Sequence, residues 1–213
     1  MGKKMSRCVI IGSAPVEQAG ALKKYLREGD TILCADGGLD TAARMGVIPQ
    51  LVAGDFDSCI GKPSKEIPVI RLPVKKDDTD LMFCVKEGLR RGFDDFLILG
   101  ATGGRLDHTY GNLGVLLYLA NRGAKNLLAD PQNQAFVAIS GTWEIKADQG
   151  TAVSVFPYGC SKCCVSYQGL AYPLDHGVLS AEEPVGVSNL VIHDTAKIEV
   201  HQGPVLVILS QLS

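Results

Sequence analysis

Acidic residues recur in this sequence in short clusters with glycine and hydroxyl neighbours: Asp36-Gly37-Gly38, Gly54-Asp55-Phe56-Asp57-Ser58 and Asp77-Asp78-Thr79-Asp80. Asp55 and Asp57 stand two positions apart, which puts both carboxylates on one side of an extended chain. Left alone, such a pair repels and drives one pKa upward; a hard cation removes that cost. Mg²⁺ suits it, taking oxygen from one or two carboxylates and completing its shell with water and substrate phosphates. A solvated acidic loop is the plainer reading of the same residues. Lys75 and Lys76 run directly into Asp77, so both charge signs meet just before a helical pattern. A metal-polyphosphate ligand would use both. Asp78 or Thr79 can equally cap that helix, and Asp80 in its first turn is favoured by the helix dipole.

Two glycine-rich turns accompany the acids. Ala35-Asp36-Gly37-Gly38 allows close backbone approach, and the helix after it can offer free N–H groups to an anion, although a tight strand-to-helix turn needs the same residues. The second turn, Gly100-Ala101-Thr102-Gly103-Gly104-Arg105-Leu106-Asp107-His108, leads into a helix carrying Asn112. Its glycines open the backbone to phosphate and Arg105 can neutralise one, or can instead pair with Asp107. It matches neither GxxxxGK[ST] nor GxGxxG, so the signatures of P-loop kinases and dinucleotide-binding dehydrogenases are missing.

These clusters need elements that bring them to one place. Short apolar runs at 8–11, 31–34, 51–53, 69–72, 96–99 and 126–129 read as strands. Segments 18–27, 38–45, 80–91 and 106–121 have helical length, with Leu81, Val85 and Leu89 recurring at helical spacing. This alternation predicts an α/β N-terminal domain, a mostly parallel sheet flanked by helices, with its ligand at the strand ends. After Pro131 the pattern changes: 135–139, 152–156, 164–167, 189–192, 197–201 and 205–209 are β-like and long helical patterns stop. An all-β, sandwich-like C-terminal domain is expected there, with domains at 1–135 and 136–213.

Composition narrows the classes. The chain has 213 residues, 46% hydrophobic and 21% charged, which is ordinary for a folded protein with a substantial core. Its 21 Lys and Arg against 23 Asp and Glu leave a net charge of −2, so no basic field exists to hold nucleic acid. No apolar run approaches the roughly 18 residues of a membrane span. The N-terminal apolar stretch is too short for a secretory signal, and a cytoplasmic location is expected. Met1-Gly2 with Ser6 fits a loose myristoylation pattern, better explained by chance.

Seven cysteines without a signal sequence fit a reducing compartment. Cys8, Cys34 and Cys84 sit in apolar contexts and read as core, while Cys160, Cys163 and Cys164 form a CxxC cluster with no partner set for zinc. Trp143, near the domain junction, reads as core or interface. His108 adjoins the second glycine turn; His176, His193 and His201 belong to no constellation and are expected to be structural.

Taken in order, Ala35-Asp36-Gly37-Gly38, Gly54-Asp55-Phe56-Asp57-Ser58, Asp77-Asp78-Thr79-Asp80, Gly104-Arg105-Leu106-Asp107-His108 and Gly186-Val187-Ser188-Asn189 resemble the motif set of thiamine pyrophosphokinases. The resemblance runs along nearly the whole chain and implies transfer of a diphosphoryl group from MgATP to thiamine, giving thiamine diphosphate and AMP. It implies Asp55, Asp57 and Asp80 as Mg²⁺ ligands, with Arg105 and Asp107 beside the reacting phosphates. ATP would be held by Asp36, Gly37, Gly38, Lys76, Thr79, Thr102, Gly103, Gly104, Arg105 and His108, and thiamine by Ser188 and Asn189. It further implies a homodimer whose active sites lie between the α/β domain of one subunit and the sandwich of the other.

No aromatic directly follows Asn189, which leaves the residue that stacks on the thiamine rings unassigned. A diphosphokinase of the same fold acting on a pterin or another hydroxymethyl heterocycle, a phosphatase with an Asp nucleophile, and a non-catalytic thiamine or nucleotide sensor are the competing readings.

Overall fold

A computed structural model of the chain describes residues 7–56, 61, 63–75 and 77–212. Asp57 and Lys76, expected in the site, and the Met1-Gly2-Ser6 pattern lie outside the described residues. The chain divides into two units, Met1–Pro131 and Gln132–Ser213.

The first unit holds strands β1 (Cys8–Ile11), β2 (Thr31–Ala35), β3 (Leu51–Gly54), β4 (Val69–Arg71), β5 (Asp95–Leu99) and β6 (Lys125–Ala129). All pairings within it are parallel, in the order β6-β5-β1-β2-β3-β4. The central strands β1, β2, β3 and β5 are apolar on both faces because both faces are covered. Helix α1 (Gly38–Met45) covers one face, where Val9, Ile11, Cys34 and Leu97 meet Leu39, Ala42 and Met45. Helix α2 (Asp80–Arg90) packs on the other, over Cys8 and Phe96: a Cβ on its Gly88 would lie 2.6 Å from the Phe96 ring. Helix α3 (Leu106–Ala120) packs beside β6.

Cys8, Cys34 and Cys84 are buried among these layers, and burial pushes the Cys8 thiol up to about 12. They act as small apolar residues, not nucleophiles. Segment 18–27, expected as an α-helix, is instead a 3₁₀ helix over Ala19–Tyr25. Gln18 provides no side-chain cap, Gly20 costs backbone entropy, and only Ala19 and Leu22 are buried, so little favours a regular helix.

Glu87 of α2 is 8% exposed and accepts hydrogen bonds from Arg90 (2.7 and 2.8 Å) and Arg91 (2.8 Å). The Arg90 hydrogen bonds, aided by those from Arg91, hold its carboxyl down at about 2, against an ordinary 4.5. Because the folded value is depressed, the stabilisation is present above the unfolded value and is lost as pH falls from 4.5 toward 2. Glu87→Gln should therefore cost roughly 1–3 kcal/mol at pH 7 and shrink toward no effect near pH 2. Urea unfolding of both proteins across that range checks it; a penalty independent of pH would refute the assignment.

The second unit is antiparallel throughout. Strands β7 (Asn133–Ala138), β8 (Gly141–Lys146), β9 (Ala152–Pro157), β10 (Lys162–Gln168), β11 (Leu174–Ser180), β12 (Asn189–Leu190), β13 (Thr195–Gln202) and β14 (Val205–Ser210) form two layers. One runs β12-β9-β14-β7 and the other β11-β10-β13-β8. Inward residues of both, including Val153, Val155, Val165, Ile198, Val205 and Val207, make a shared core. Trp143 packs against that core from β8, stacked on Phe136 at 5.3 Å.

Strands β8 and β11 were not legible as strands. Each is an edge strand with a single buried side chain, Ile145 and Leu179 respectively, so neither shows a strong apolar alternation. β11 also carries Gly177 and a left-handed His176 (φ +48°), which weaken its strand signal further.

Candidate active site

The strand order of the first unit reverses at β1. From there the chain proceeds outward through β2, β3 and β4, then returns to β5 and β6 on the other side. Open parallel sheets bind ligands at such a point, outside the carboxyl ends of the strands. Here Gly12 follows β1 and Gly100 follows β5; Gly12 N–H donates to the Leu99 carbonyl (2.8 Å) and Ala14 N–H to that of Gly100 (2.9 Å). A Cβ on Gly12 would stand 2.6 Å from the Gly100 oxygen, so the two strand ends meet only because glycine is present.

Asp36 closes β2 in a left-handed conformation (φ +46°) and is buried. Its N–H donates to the Ala53 carbonyl (2.8 Å), and its Oδ1 accepts from the Phe56 N–H (3.1 Å). A Cβ on Gly54 would touch Asp36 at 2.8–3.0 Å. Asp36 thus shapes the turn that carries Asp55. Phe56 is itself left-handed (φ +65°), an uncommon state for an aromatic residue, and lies partly buried against the sheet core. Asp55 is half-buried at the same strand end.

The residues before α2 divide the roles left open by the sequence. Thr79 is the cap, its Oγ1 accepting from Met82 N–H (3.1 Å). Asp78 pairs with Lys86 (2.7 Å). Asp80 begins the helix with its Oδ1 shielded from solvent. The next residue, Leu81, lies against Gly12: its Cδ1 is 3.1 Å from the point a Cβ there would occupy. The first turn of α2 is therefore set at the switch point, at the sheet edge that also carries Asp36 and Asp55.

The turn after β5 uses left-handed glycines at 100, 103 and 104, and a Cβ on Gly104 would stand 3.0 Å from Pro15 Cδ. Thr102 Oγ1 donates to Asp130 Oδ2 (2.9 Å) and Asn112 Nδ2 to the Ala101 carbonyl (2.8 Å). Thr102 therefore anchors the turn in this state. Asp130, which sequence reasoning passed over, is its anchor point; it follows β6 directly, as Asp36 follows β2 and Asp55 closely follows β3. Arg105 and Asp107 form a bidentate pair (2.6 and 3.1 Å), both mostly exposed. The Arg105 hydrogen bonds hold the Asp107 carboxyl below the usual carboxylate range. His108 donates its N–H to Asp107 Oδ1 (2.9 Å).

By ligand type, Asp55 and Asp80 fit a hard divalent cation and not a soft one. Among the described residues, no three His, Cys, Asp or Glu side chains converge as a metal group.

Ser188 and Asn189 belong to the second unit. Ser188 is exposed and left-handed (φ +59°), its N–H donating to Ser154 Oγ (3.0 Å). Asn189 is buried and bonds the backbone of Tyr172 from both ends of its amide: Oδ1 accepts from Tyr172 N–H (2.9 Å), and Nδ2 donates to the Tyr172 carbonyl (2.7 Å). The residue so fixed is an aromatic with 71% exposure. The expectation that His176 and His201 belong to no constellation is overturned. Their rings stack at 4.1 Å; Ser166 Oγ lies 2.8 Å from His201 Nε2, and Asp175 Oδ1 lies 2.7 Å from His176 Nδ1. The cluster joins β10, β11 and β13, a tertiary pairing that no spacing along the chain encodes.

Comparison with known proteins gives the family and the fold. Residues 22–128 match the family model described as thiamin pyrophosphokinase, catalytic domain, and residues 142–205 match that for the thiamin pyrophosphokinase vitamin B1 binding domain. The thiamine pyrophosphokinase of Bacillus subtilis (strain 168) is 28% identical over 207 residues, spanning 94% of this chain and 97% of that protein. The crystal structure of thiamine pyrophosphokinase from Bacillus subtilis superimposes with a TM-score of 0.86 at 26% identity, covering 98% of this chain and all of the other. The crystal structure of the Geobacillus thermodenitrificans thiamin pyrophosphokinase gives 0.82, also at 26% identity, covering 97% and 98%. With both halves matched in order around the acidic switch point, the chain belongs to the thiamin pyrophosphokinase family.

Proposed function

We infer that this chain is an enzyme that transfers the diphosphoryl group of ATP to the hydroxyl of thiamine, yielding thiamine diphosphate and AMP. The observation that supports the reading is that Asp55, the first turn of α2 with Asp80, and the glycine turn all follow or abut the carboxyl ends of strands in one parallel sheet, in a chain whose second half matches a vitamin B1 binding domain. The reaction brings a weak nucleophile to a polyanion, so positioning and charge neutralisation carry most of the catalysis.

Asp55 and Asp80, with Asp57, are the proposed Mg²⁺ ligands; the ion supplies charge neutralisation on the polyphosphate when bound. Asp36, Gly37 and Gly38 shape the first phosphate-facing turn. Thr102, Gly103 and Gly104, held by Asp130, present the second. Lys76, Thr79 and His108 complete the proposed ATP set. Arg105 is exchangeable, because its ion pair with Asp107 is exposed and screened by solvent and so yields readily to a phosphate partner. Asp107, held in its charged form, is suited to orienting the thiamine hydroxyl and is a weak proton acceptor.

In the second unit Ser188 faces thiamine, while Asn189 acts through the Tyr172 it holds, whose exposed ring offers the missing stacking surface. Leu106 and Tyr110, one turn apart on α3 and 81% and 70% exposed, are the kind of apolar surface a homodimer would cover. No helix among the described residues is long and apolar enough to cross a membrane. We place the enzyme in the cytoplasm, consistent with its free thiols.

Incubation with ATP, Mg²⁺ and thiamine, followed by chromatography, should give thiamine diphosphate and AMP in equal yield. ADP with thiamine monophosphate would overturn diphosphoryl transfer. Tight binding of both ligands without turnover would favour a sensor, and transfer to a pterin alone would reassign the acceptor.

A further inference from the structure

A second place with its own chemistry lies in the sandwich, apart from every residue used above. The turn after β9 ends in Cys160-Ser161, runs into Lys162-Cys163 at the start of β10 and passes beside Gly203, in the turn between β13 and β14. Cys160 is half-buried and packs against the sandwich core; Cys163, the second residue of β10, is part of that core. The two side chains therefore share one face, whereas Cys164 alternates to the other. Gly203 marks how close they are. A Cβ built on it would stand 3.1 Å from Cys160 Sγ and 3.3 Å from Cys163 Cα, so both residues press on the same point. Gly203 also has φ +73°, which a side chain would strain. Cys160 Sγ lies 3.5 Å from the Pro204 carbonyl, a weak contact easily given up.

We propose that Cys160 and Cys163 form a reversible disulfide site that responds to hydrogen peroxide. The sequence of steps follows from exposure. The Cys160 thiolate attacks the peroxide, breaking its O–O bond, becoming a sulfenic acid and releasing hydroxide, which takes up the thiol's proton as water. Cys163 sulfur then attacks the sulfenic sulfur, its proton leaving with the hydroxyl as a second water. Two thiols are oxidised and one peroxide is reduced to two waters; a small-molecule thiol reverses the bond by exchange. Burial pushes the Cys163 thiol up to about 11, which suits a resolving partner and not the first nucleophile, and makes closure faster at alkaline pH.

The chain supplies its own reporter. Trypsin cuts after Lys162, between the two cysteines, so their peptides separate unless a disulfide joins them. After graded hydrogen peroxide, alkylation of the remaining thiols and digestion, the folded protein should yield the joined peptide, lighter by two hydrogens than its reduced parts. Two fewer thiols than the seven of the sequence should titrate in denaturant. The link should persist in Cys164→Ser, vanish in Cys160→Ser and Cys163→Ala, and disappear on treatment with dithiothreitol. Kinase turnover, which uses none of these residues, serves to show that each variant is folded. A link to Cys164, told from Cys163 by fragmenting the joined peptide because both lie in the tryptic peptide that follows Lys162, a link between chains, seen as a dimer on a non-reducing gel, or sulfinic acid at Cys160 in place of the link would overturn the proposal; with those two measurements the wild-type chain alone gives these readouts, and a variant that fails to fold does not rescue it.

Discussion

Asp80→Asn should lower kcat by roughly a hundredfold or more, since replacing groups that only support a metal ligand already costs about 10–100-fold. Asparagine keeps the shape and polarity of the side chain at the start of α2, so the fold should survive with a near-unchanged thermal midpoint. What it removes is a hard anionic oxygen at a position shielded from water and set on the switch point by Leu81. Asp55→Asn should behave alike from the neighbouring strand end. The Mg²⁺ dependence separates this from a general loss of structure: the concentration giving half-maximal rate should rise in both variants. Near-normal turnover with an unaltered Mg²⁺ profile would remove Asp80 from the proposed ligand set.

Gly38→Ala should be the most damaging small substitution in the first unit. The added Cβ would stand 2.0 Å from the Ile11 carbonyl oxygen and 2.7 Å from its carbon, both backbone atoms of the central strand. No rotamer relieves such a clash, so α1 must lift from β1 or β1 must shift in register. We expect a loss above about 4 kcal/mol, the range reserved for core disruption, seen as insoluble or largely unfolded protein. Gly20→Ala is the control. Nothing lies within 4 Å of its added Cβ, and stability should stay within about 0.5 kcal/mol. A soluble Gly38→Ala protein with wild-type unfolding would show that the α1–β1 contact has slack.

Much of the first unit was readable because its strands are apolar on both faces and its turns carry glycine. Helix α1 was expected at 38–45 and is found there; α2 and α3 each end one residue short of the expected limit. The acidic clusters and glycine turns were visible as residue types, and the alternation of elements placed them at strand ends. What sequence could not show was the division of labour among them. Asp36 and Thr102, expected to face ATP, also hold their turns, through Phe56 N–H and Asp130 respectively, a role their spacing did not show. Thr79 was open between two roles and is the cap. Asn189 is committed to Tyr172, seventeen positions away, by two hydrogen bonds no local pattern encodes. Strands β8 and β11 escaped for a related reason: at a sheet edge, partners across the ladder replace burial as the cause of the strand.

The placement of β1 also governs the order in which this chain can fold. Cys8–Ile11 sits mid-sheet, pairing with Thr31–Cys34 on one side and Phe96–Leu99 on the other. The first partner is made soon after β1 and the second about 90 residues later, a delay of roughly 5–20 s at ribosomal speeds of about 5–20 residues per second. Through that interval the most apolar strand of the unit carries one unpaired edge, the condition under which strands seek partners on other molecules. The late arrival of Phe96–Leu99 is thus the committing step of biogenesis: a nascent chain truncated before residue 96 should be held by chaperones or aggregate, and one extending past Ala129 should resist protease.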